Sequence, residues 1–141
     1  MLLLDANVLL HAVNERSREH AHAERWLRQA LGGGEAVAFA WTVLLAFLRL
    51  ATHPSVFSDP LTSDRAADLV ERWLAARPAV TVTPTARHLP LLRGLLAQTG
   101  TAGNLVGDAH LAALALEYGA TVVSFDRDFG RFDGVAWQLP G

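Results

Sequence analysis

Four aspartates occupy the positions where this sequence could do chemistry. The apolar run 2–4 ends at the first of them, the run 120–125 ends at the third, and the second follows Gly107 at the head of a predicted helix. In an open parallel sheet, ligands bind beyond the carboxyl ends of the strands. We therefore expect four carboxylates to meet at one edge of a sheet: Asp5, Asp108, Asp126 and Asp128.

Such a cluster would need a cation. Taken singly, an aspartate after a strand is commonly a turn residue or a helix N-cap. Several carboxylates in one site repel one another, and their pKa values rise unless a positive ion neutralises them. Mg²⁺ or Mn²⁺ fits best, because both prefer oxygen ligands. Such an ion activates water and stabilises charge on a phosphoryl oxygen, and a second ion about 4 Å away could steady the leaving oxygen. The predicted chemistry is metal-assisted attack of water on a phosphoryl group.

The elements that must position these residues alternate between strand and helix. Buried apolar runs predict the strands, while apolar stripes, threonine N-caps and glycine stops predict the helices. The predicted strands cover residues 2–4, 36–40, 79–83, 120–125 and 135–139. The predicted helices cover residues 6–13, 23–31, 43–51, 62–74, 85–96 and 108–118, with a loop over 100–107. This alternation predicts one domain, residues 1–141, with a three-layer α/β/α sandwich around a mainly parallel sheet.

Composition excludes several classes of protein. The chain of 141 residues has no cysteine, so disulfide scaffolds, thiolate catalysis and cysteine-bound metals are excluded. No apolar run is long enough to span a bilayer, and the first residues do not resemble a secretion signal, so we expect a cytoplasmic protein without a membrane partner. A formal charge of −2 gives no general attraction to nucleic acid. Phosphate contacts would have to come from metal ions or from local arginines: Arg127, Arg131 and Arg49.

Other catalytic motifs are missing. The six histidines are scattered and no HExxH is present, which argues against a zinc hydrolase. No P-loop, GxGxxG fingerprint or GxSxG elbow occurs. The four tryptophans are expected in the core or at an interface rather than as platforms for base stacking.

Four segments together resemble the PIN domain, and more narrowly the VapC-type toxins of bacterial type II toxin–antitoxin pairs. They are LLLDANVLL at 2–10, WTVLLAFLRLAT at 41–52, GDAHLAALA at 107–115 and VSFDRDFGRF at 123–132. The first segment alone is a weak signal, but all of them in this order and at these distances are specific. The resemblance covers essentially the whole chain.

The resemblance implies roles for particular residues. Asp5, Asp108 and Asp126 correspond to the family's metal-binding carboxylates, and Asp128 is a further member of the cluster. Asn7 and Ser124 stand where family members place polar groups near the site. The family also implies a Mg²⁺-dependent endoribonuclease (with Mn²⁺ as a substitute) that cleaves RNA, forms a homodimer and is neutralised by a small cognate antitoxin protein.

One departure from the family keeps an alternative open. Many members carry a glutamate in the helix after the second strand, whereas residues 46–49 here are Ala-Phe-Leu-Arg. Glu35 precedes that strand, at the opposite end of the sheet from the cluster. The alternative is a catalytically weak PIN-like domain that binds RNA or a protein. A phosphatase-like hydrolase with a nucleophilic aspartate would need Asp-x-Asp, and Asp5-Ala6-Asn7 does not supply it.

Overall fold

A computed structural model describes residues 1–100 and 103–141. Its strands are β1 (Leu2–Leu4), β2 (Val37–Ala40), β3 (Ala79–Val82), β4 (Thr121–Val123) and β5 (Trp137–Gln138). Its α-helices are α1 (Ala6–Val13), α2 (His20–Leu31), α3 (Trp41–Ala51), α4 (Ser63–Leu74), α5 (His88–Thr99) and α6 (Val106–Tyr118). Two 3₁₀ helices, Gly103–Leu105 and Arg127–Arg131, precede α6 and follow β4.

The five strands form one sheet in the order β3-β2-β1-β4-β5, and every neighbouring pair is parallel. The chain moves from β1 outward to β2 and β3, then returns past β1 to β4. Because βαβ crossovers are right-handed, this reversal places α1 to α4 on one face of the sheet and α5 with α6 on the other. The predicted three-layer α/β fold is confirmed, and the mainly parallel sheet is parallel throughout.

The reversal in strand order also fixes where a ligand site can form. Strands β1 and β4 lie side by side, yet the connections from them run to opposite faces. A crevice opens at such a switch point, beyond the carboxyl ends of the two strands. The sheet core around it is tightly covered, because Leu3, Leu4, Val122 and Val123 are at most 1% exposed.

The helices begin and end largely where the sequence signals predict. The side chain of Asp5 accepts from Ala6 N at the start of α1, and Thr62 accepts from Arg65 N at the start of α4. Gly119 ends α6 with a φ of 62°, a conformation that favours glycine. No helix in the described part of the chain has the length and apolar character needed to cross a membrane.

Several predicted boundaries were wrong: β4 ends at Val123 rather than at residue 125, α2 begins at His20 rather than at residue 23, and α3 begins at Trp41 rather than at residue 43. The segment 100–107 was predicted as a loop, but α6 begins at Val106, and residues 101–102 of that loop lie outside the described residues. Gly107 keeps its backbone N–H and adopts ordinary helical geometry there, at the conformational-entropy cost that glycine carries in a helix. Thr85 does not cap α5, which begins three residues later; its hydroxyl donates to Glu117 instead.

Candidate active site

The carboxyl ends of β1 and β4 bring Asp5 and Ser124 together. Leu4 pairs with Val123 in the parallel register, and Asp5 N donates to Val123 O at 3.0 Å. The next residue of each strand therefore stands at the same edge of the sheet. Although 119 positions apart in the sequence, Ser124 and Asp5 are joined by a side-chain hydrogen bond of 2.7 Å.

Asp5 is held by a network of hydrogen bonds. Its Oδ1 accepts from Ala6 N at 2.7 Å, and its Oδ2 accepts from Ser124 Oγ at 2.7 Å and from Asn7 Nδ2 at 3.2 Å. The amide of Asn7 also donates to Ser124 Oγ at 3.0 Å and accepts from Phe125 N at 3.1 Å. Asn7 and Ser124, both predicted near the site, therefore fix the orientation of the Asp5 carboxylate.

The same network extends to the segment after β4. Ser124 Oγ accepts from Asp126 N at 2.9 Å, and Ser124 is completely buried. Asp126 Oδ1 accepts from Asp128 N at 2.8 Å and so caps the 3₁₀ helix Arg127–Arg131. Asp128 forms an ion pair of 3.5 Å with Arg131. Asp126 thus has one oxygen used in the cap, and its Oδ2 has no hydrogen bond in the described part of the chain.

Asp108, in the first turn of α6, faces the other three acids. The pKa of this partly buried carboxyl is raised to about 6, and burial is the largest cause. The other causes are the negative charges of Asp5, Asp126 and Asp128. Among residues 1–100 and 103–141, the Asp108 side chain has no hydrogen-bond donor to offset these effects. The four predicted acids therefore share one electrostatic environment.

Burial also raises the pKa of Asp5, and the charge of Asp126 adds to that effect. Hydrogen bonds from Ser124 and Ala6 act in the opposite direction, because they stabilise the ionised carboxylate. The balance leaves two neighbouring carboxyls, Asp5 and Asp108, whose negative charges are poorly compensated by the protein itself. A bound cation would compensate them.

The donor set suits a hard divalent cation, since all its members are carboxylate oxygens. In the described ranges 1–100 and 103–141, no three His, Asp or Glu side chains stand close enough to form a finished metal centre. The arrangement is therefore an open acidic crevice whose side chains lie within electrostatic range of one another.

The predicted arginines differ in their placement. Arg127 is exposed immediately after Asp126, and Arg131 is engaged by Asp128. Arg49 is exposed in the last turn of α3, about 12 Å along the helix from its first residue. Arg127 is thus the arginine of this set that stands beside the crevice without an ion-pair partner in the described residues.

Among the described residues, no acid is found in place of the missing glutamate in α3. Helix α3 contains no Asp or Glu, and Glu35 forms an ion pair of 3.1 Å with the amino group of Met1 at the opposite edge of the sheet. The sequence-based interpretation of Glu35 is confirmed.

A polar cluster between α5 and α6 was missed by sequence reasoning, which treated the histidines as scattered. His88 Nδ1 contacts Glu117 Oε2, and His88 Nε2 lies 2.9 Å from His110 Nδ1. Thr85 donates to Glu117 through both its N–H and its hydroxyl. Burial acts to raise the pKa of Glu117, but these hydrogen bonds outweigh it and the pKa is lowered. The available signal was the seven-residue spacing of His110 and Glu117, which places both on one face of α6.

The tryptophans were expected in the core or at an interface, and Trp41 is not in the core, so an interface position stays a prediction for it. Trp73 is in the core at 7% exposure, whereas Trp41 is 49% exposed at the first position of α3. The two tryptophans differ in exposure because Trp41 begins α3 at the sheet edge, whereas Trp73 packs into the core.

Known proteins match the chain over nearly its full length. The PIN domain family model matches residues 2–135. Ribonuclease VapC37 of Mycobacterium tuberculosis is 54% identical over 140 residues, covering 99% of this chain and 97% of that protein. Ribonuclease VapC33 of the same species is 36% identical over 140 residues, covering 99% and 98%.

Solved structures share the fold. VapBC2 from Rickettsia felis, bound to a DNA fragment from its promoter, aligns with a TM-score of 0.72 at 18% identity over 98% of this chain and 97% of that chain. VapC20 of Mycobacterium tuberculosis, described as a Sarcin-Ricin loop cleaving toxin, aligns with a TM-score of 0.70 at 18% identity over 96% and 99%.

The chain therefore belongs to the PIN-domain family. Within that family, its identity to the curated relatives places it in the VapC group. Ribonucleases of this group generally use a divalent metal ion. The family resemblance drawn from the four sequence segments is confirmed.

Proposed function

We propose that this chain is the toxin endoribonuclease of a type II toxin–antitoxin pair, with its catalytic centre at Asp5, Asp108 and Asp126. The observation that carries the proposal is the convergence of these acids at the β1/β4 switch point, where burial, first, and then the charges of the neighbouring aspartates raise the pKa of Asp108 to about 6. The names of the curated relatives, all ribonucleases of the VapC group, support the substrate class.

The cation is Mg²⁺, with Mn²⁺ able to replace it. Asp5, Asp108 and Asp126 would bind the cation, and Asp128 is a further candidate ligand. When bound, such an ion supplies an activated water and stabilises charge on the phosphoryl oxygen. The protein presents Asp5 in one orientation through Ser124 and Asn7, and leaves Asp126 Oδ2 and both oxygens of Asp108 open. Arg127 is placed to contact a phosphate of the substrate.

A slightly acidic chain can hold RNA in this way because the cation, rather than a basic surface, bridges the carboxylates to the phosphate. The formal charge of −2 is thus compatible with a polyanionic substrate. The same reasoning predicts weak RNA binding without the metal.

The test is RNA cleavage by the purified chain. We expect cleavage with Mg²⁺ or Mn²⁺, and none with EDTA. Asp5→Asn and Asp108→Asn should each abolish cleavage while the thermal transition remains cooperative. Asp68→Asn, which changes an exposed aspartate on α4, is the matched control and should retain activity. Unchanged cleavage in both site variants would refute the site assignment.

A catalytically weak PIN-like binding domain is the second candidate, favoured by the absence of an acid in α3. It predicts that the wild-type chain binds RNA or a protein partner but cleaves RNA no faster with Mg²⁺ than with EDTA. That result would replace the leading proposal.

The toxin role has its own test. We propose one domain, a cytoplasmic location, a homodimer and a small antitoxin as partner, by analogy with neighbours that are VapBC complexes. Expression of the chain alone should arrest growth, and co-expression of a short adjacent reading frame should restore it. Normal growth despite soluble, RNA-cleaving protein would refute the toxin role.

A further inference from the structure

The exposed indole of Trp41 lies at the same sheet edge as the aspartates. Leu3 pairs with Ala38, so Asp5 and Ala40 are level where their strands end. Trp41 is the next residue and the first of α3. At 49% exposure, it leaves a large aromatic surface open at the border of the acidic crevice. Hydrophobicity alone would predict that Trp41 is buried.

The exposed surface continues along one side of α3. Leu45, one turn further, is 58% exposed, and Arg49, another turn on, is exposed and has no ion pair in the described residues. The opposite side of the helix is packed into the core by Leu44 and Phe47. An aromatic, an aliphatic and a cationic side chain therefore form an open stripe that starts at the crevice.

We propose that Trp41 stacks on a base of the RNA next to the scissile phosphate. This inference rests on the proposed ribonuclease function. A phosphodiester bound through a cation at Asp5 and Asp108 would bring the flanking nucleotides across the carboxyl edge of the sheet, where Trp41 is exposed. Single-stranded RNA is commonly bound through stacking of unpaired bases on aromatic side chains. A chain with net charge −2 gains little from nonspecific phosphate attraction, so a contact to bases has more to contribute.

The alternative occupant of this stripe is a second copy of the chain, since exposed Trp and Leu are also typical of protein interfaces. The position of Trp41 favours RNA, because this residue begins α3 at the sheet edge where the acids lie rather than in the middle of an open face. If RNA occupies the stripe, removing the indole should lower RNA affinity. If a second copy of the chain occupies it, removing the indole should lower the molecular mass.

The experiment compares Trp41→Ala, Trp41→Phe and Val56→Ala with the wild-type chain. Val56 is 43% exposed beyond the other end of α3 and serves as the control. Steady-state cleavage of a single-stranded RNA gives kcat and KM, and light scattering gives the mass of each variant. Binding of a uridine decamer and of an abasic ribose-phosphate decamer is measured in the Asp108→Asn background, which should not cleave, at a Mn²⁺ concentration that saturates this variant.

Loss of one stacked base weakens binding by about 5- to 150-fold. We expect Trp41→Ala to raise KM by that factor with little change in kcat, because stacking stabilises bound substrate and transition state alike. Trp41→Phe should recover most of the affinity. Affinity for the abasic decamer should not change, since it offers no base to stack.

Three results would overturn the proposal. They are KM within two-fold of wild type in Trp41→Ala, an equal loss of affinity for both decamers, and a lower molecular mass that accompanies the loss of activity. The last would assign the stripe to a second copy of the chain. Absence of metal-dependent cleavage by the wild type would instead refute the ribonuclease function itself.

Discussion

At the scale of single residues, Ser124 connects more of the site than any aspartate does. Its buried hydroxyl donates to Asp5 Oδ2 and accepts from both Asn7 Nδ2 and Asp126 N. Groups that orient metal-binding carboxylates commonly matter nearly as much as the ligands themselves. The sequence placed Ser124 near the site through family resemblance, but its three partners follow only from the strand register.

Replacing Ser124 by alanine should therefore impair catalysis without removing any ligand. We expect kcat/KM in Mg²⁺ to fall by about 10- to 100-fold, because Asp5 loses its shortest side-chain donor. Stability should fall by about 1–3 kcal/mol, since Asp126 N is left without its acceptor. A Mg²⁺ titration of cleavage, with exposed Ser55→Ala as control, measures the effect. Wild-type kcat/KM and Mg²⁺ dependence in Ser124→Ala would contradict the positioning role.

Asp108 yields a prediction about pH. Its folded-state pKa of about 6 exceeds the ordinary value of 3.8, so the folded chain holds this proton more tightly than the unfolded chain. Its ionisation therefore destabilises the metal-free fold as pH rises from 3.8 to about 6, and the full cost applies above that range. Asp108→Asn should stabilise the metal-free protein at pH 7.5 by about 1 kcal/mol, a value reduced for solvent screening of a half-exposed group.

Thermal melts in EDTA measure this difference. The stabilisation should disappear near pH 3.5, where the aspartate is protonated in both states. Saturating Mg²⁺ should reverse the order at pH 7.5, because ligand binding stabilises only the chain that retains the site. A variant less stable than wild type in EDTA at pH 7.5 would contradict the raised pKa of Asp108.

At the scale of elements, helix α6 shows how a local signal can mislead. Gly103 and Gly107 indicate a loop, yet Gly107 lies in the first turn of the helix, with ordinary helical backbone. Gly119 comes directly after the last helical residue of α6. Its φ of 62° is one that other residues adopt at a cost. The two glycines are therefore a matched pair for testing the boundaries of α6.

Gly107→Ala should stabilise the protein by about 0.4–1 kcal/mol, since the added methyl meets no atom within 4 Å and the unfolded chain loses freedom. Gly119→Ala should destabilise it by about 1 kcal/mol, because alanine is strained at positive φ. Urea unfolding of both variants measures the difference. Destabilisation by Gly107→Ala would show that the helix does not begin before Asp108.

At the scale of the whole molecule, the site exists because the strand order reverses between β1 and β4. Alternating strand and helix signals were sufficient to predict the α/β class. The aspartates beyond the central strands predicted the acidic crevice, whose catalytic role stays a prediction, although Ser124 rather than Asp126 directly follows β4. Periodicity could not predict that α6 starts at Val106, nor that His88 bridges His110 and Glu117. These features depend on how α5 packs against α6, which is a tertiary contact with no local sequence signature. The exposure of Trp41 likewise depends on its place at the sheet edge.

The central claim is that carboxylates distant in sequence jointly hold a divalent ion. A titration with Mn²⁺ tests this claim most directly, because the EPR signal of the free ion decreases as the ion binds. We predict saturable binding by the wild-type chain and by Asp68→Asn, with affinity about ten-fold or more weaker in Asp5→Asn and in Asp108→Asn. Equal Mn²⁺ affinity in all four proteins would contradict the claim.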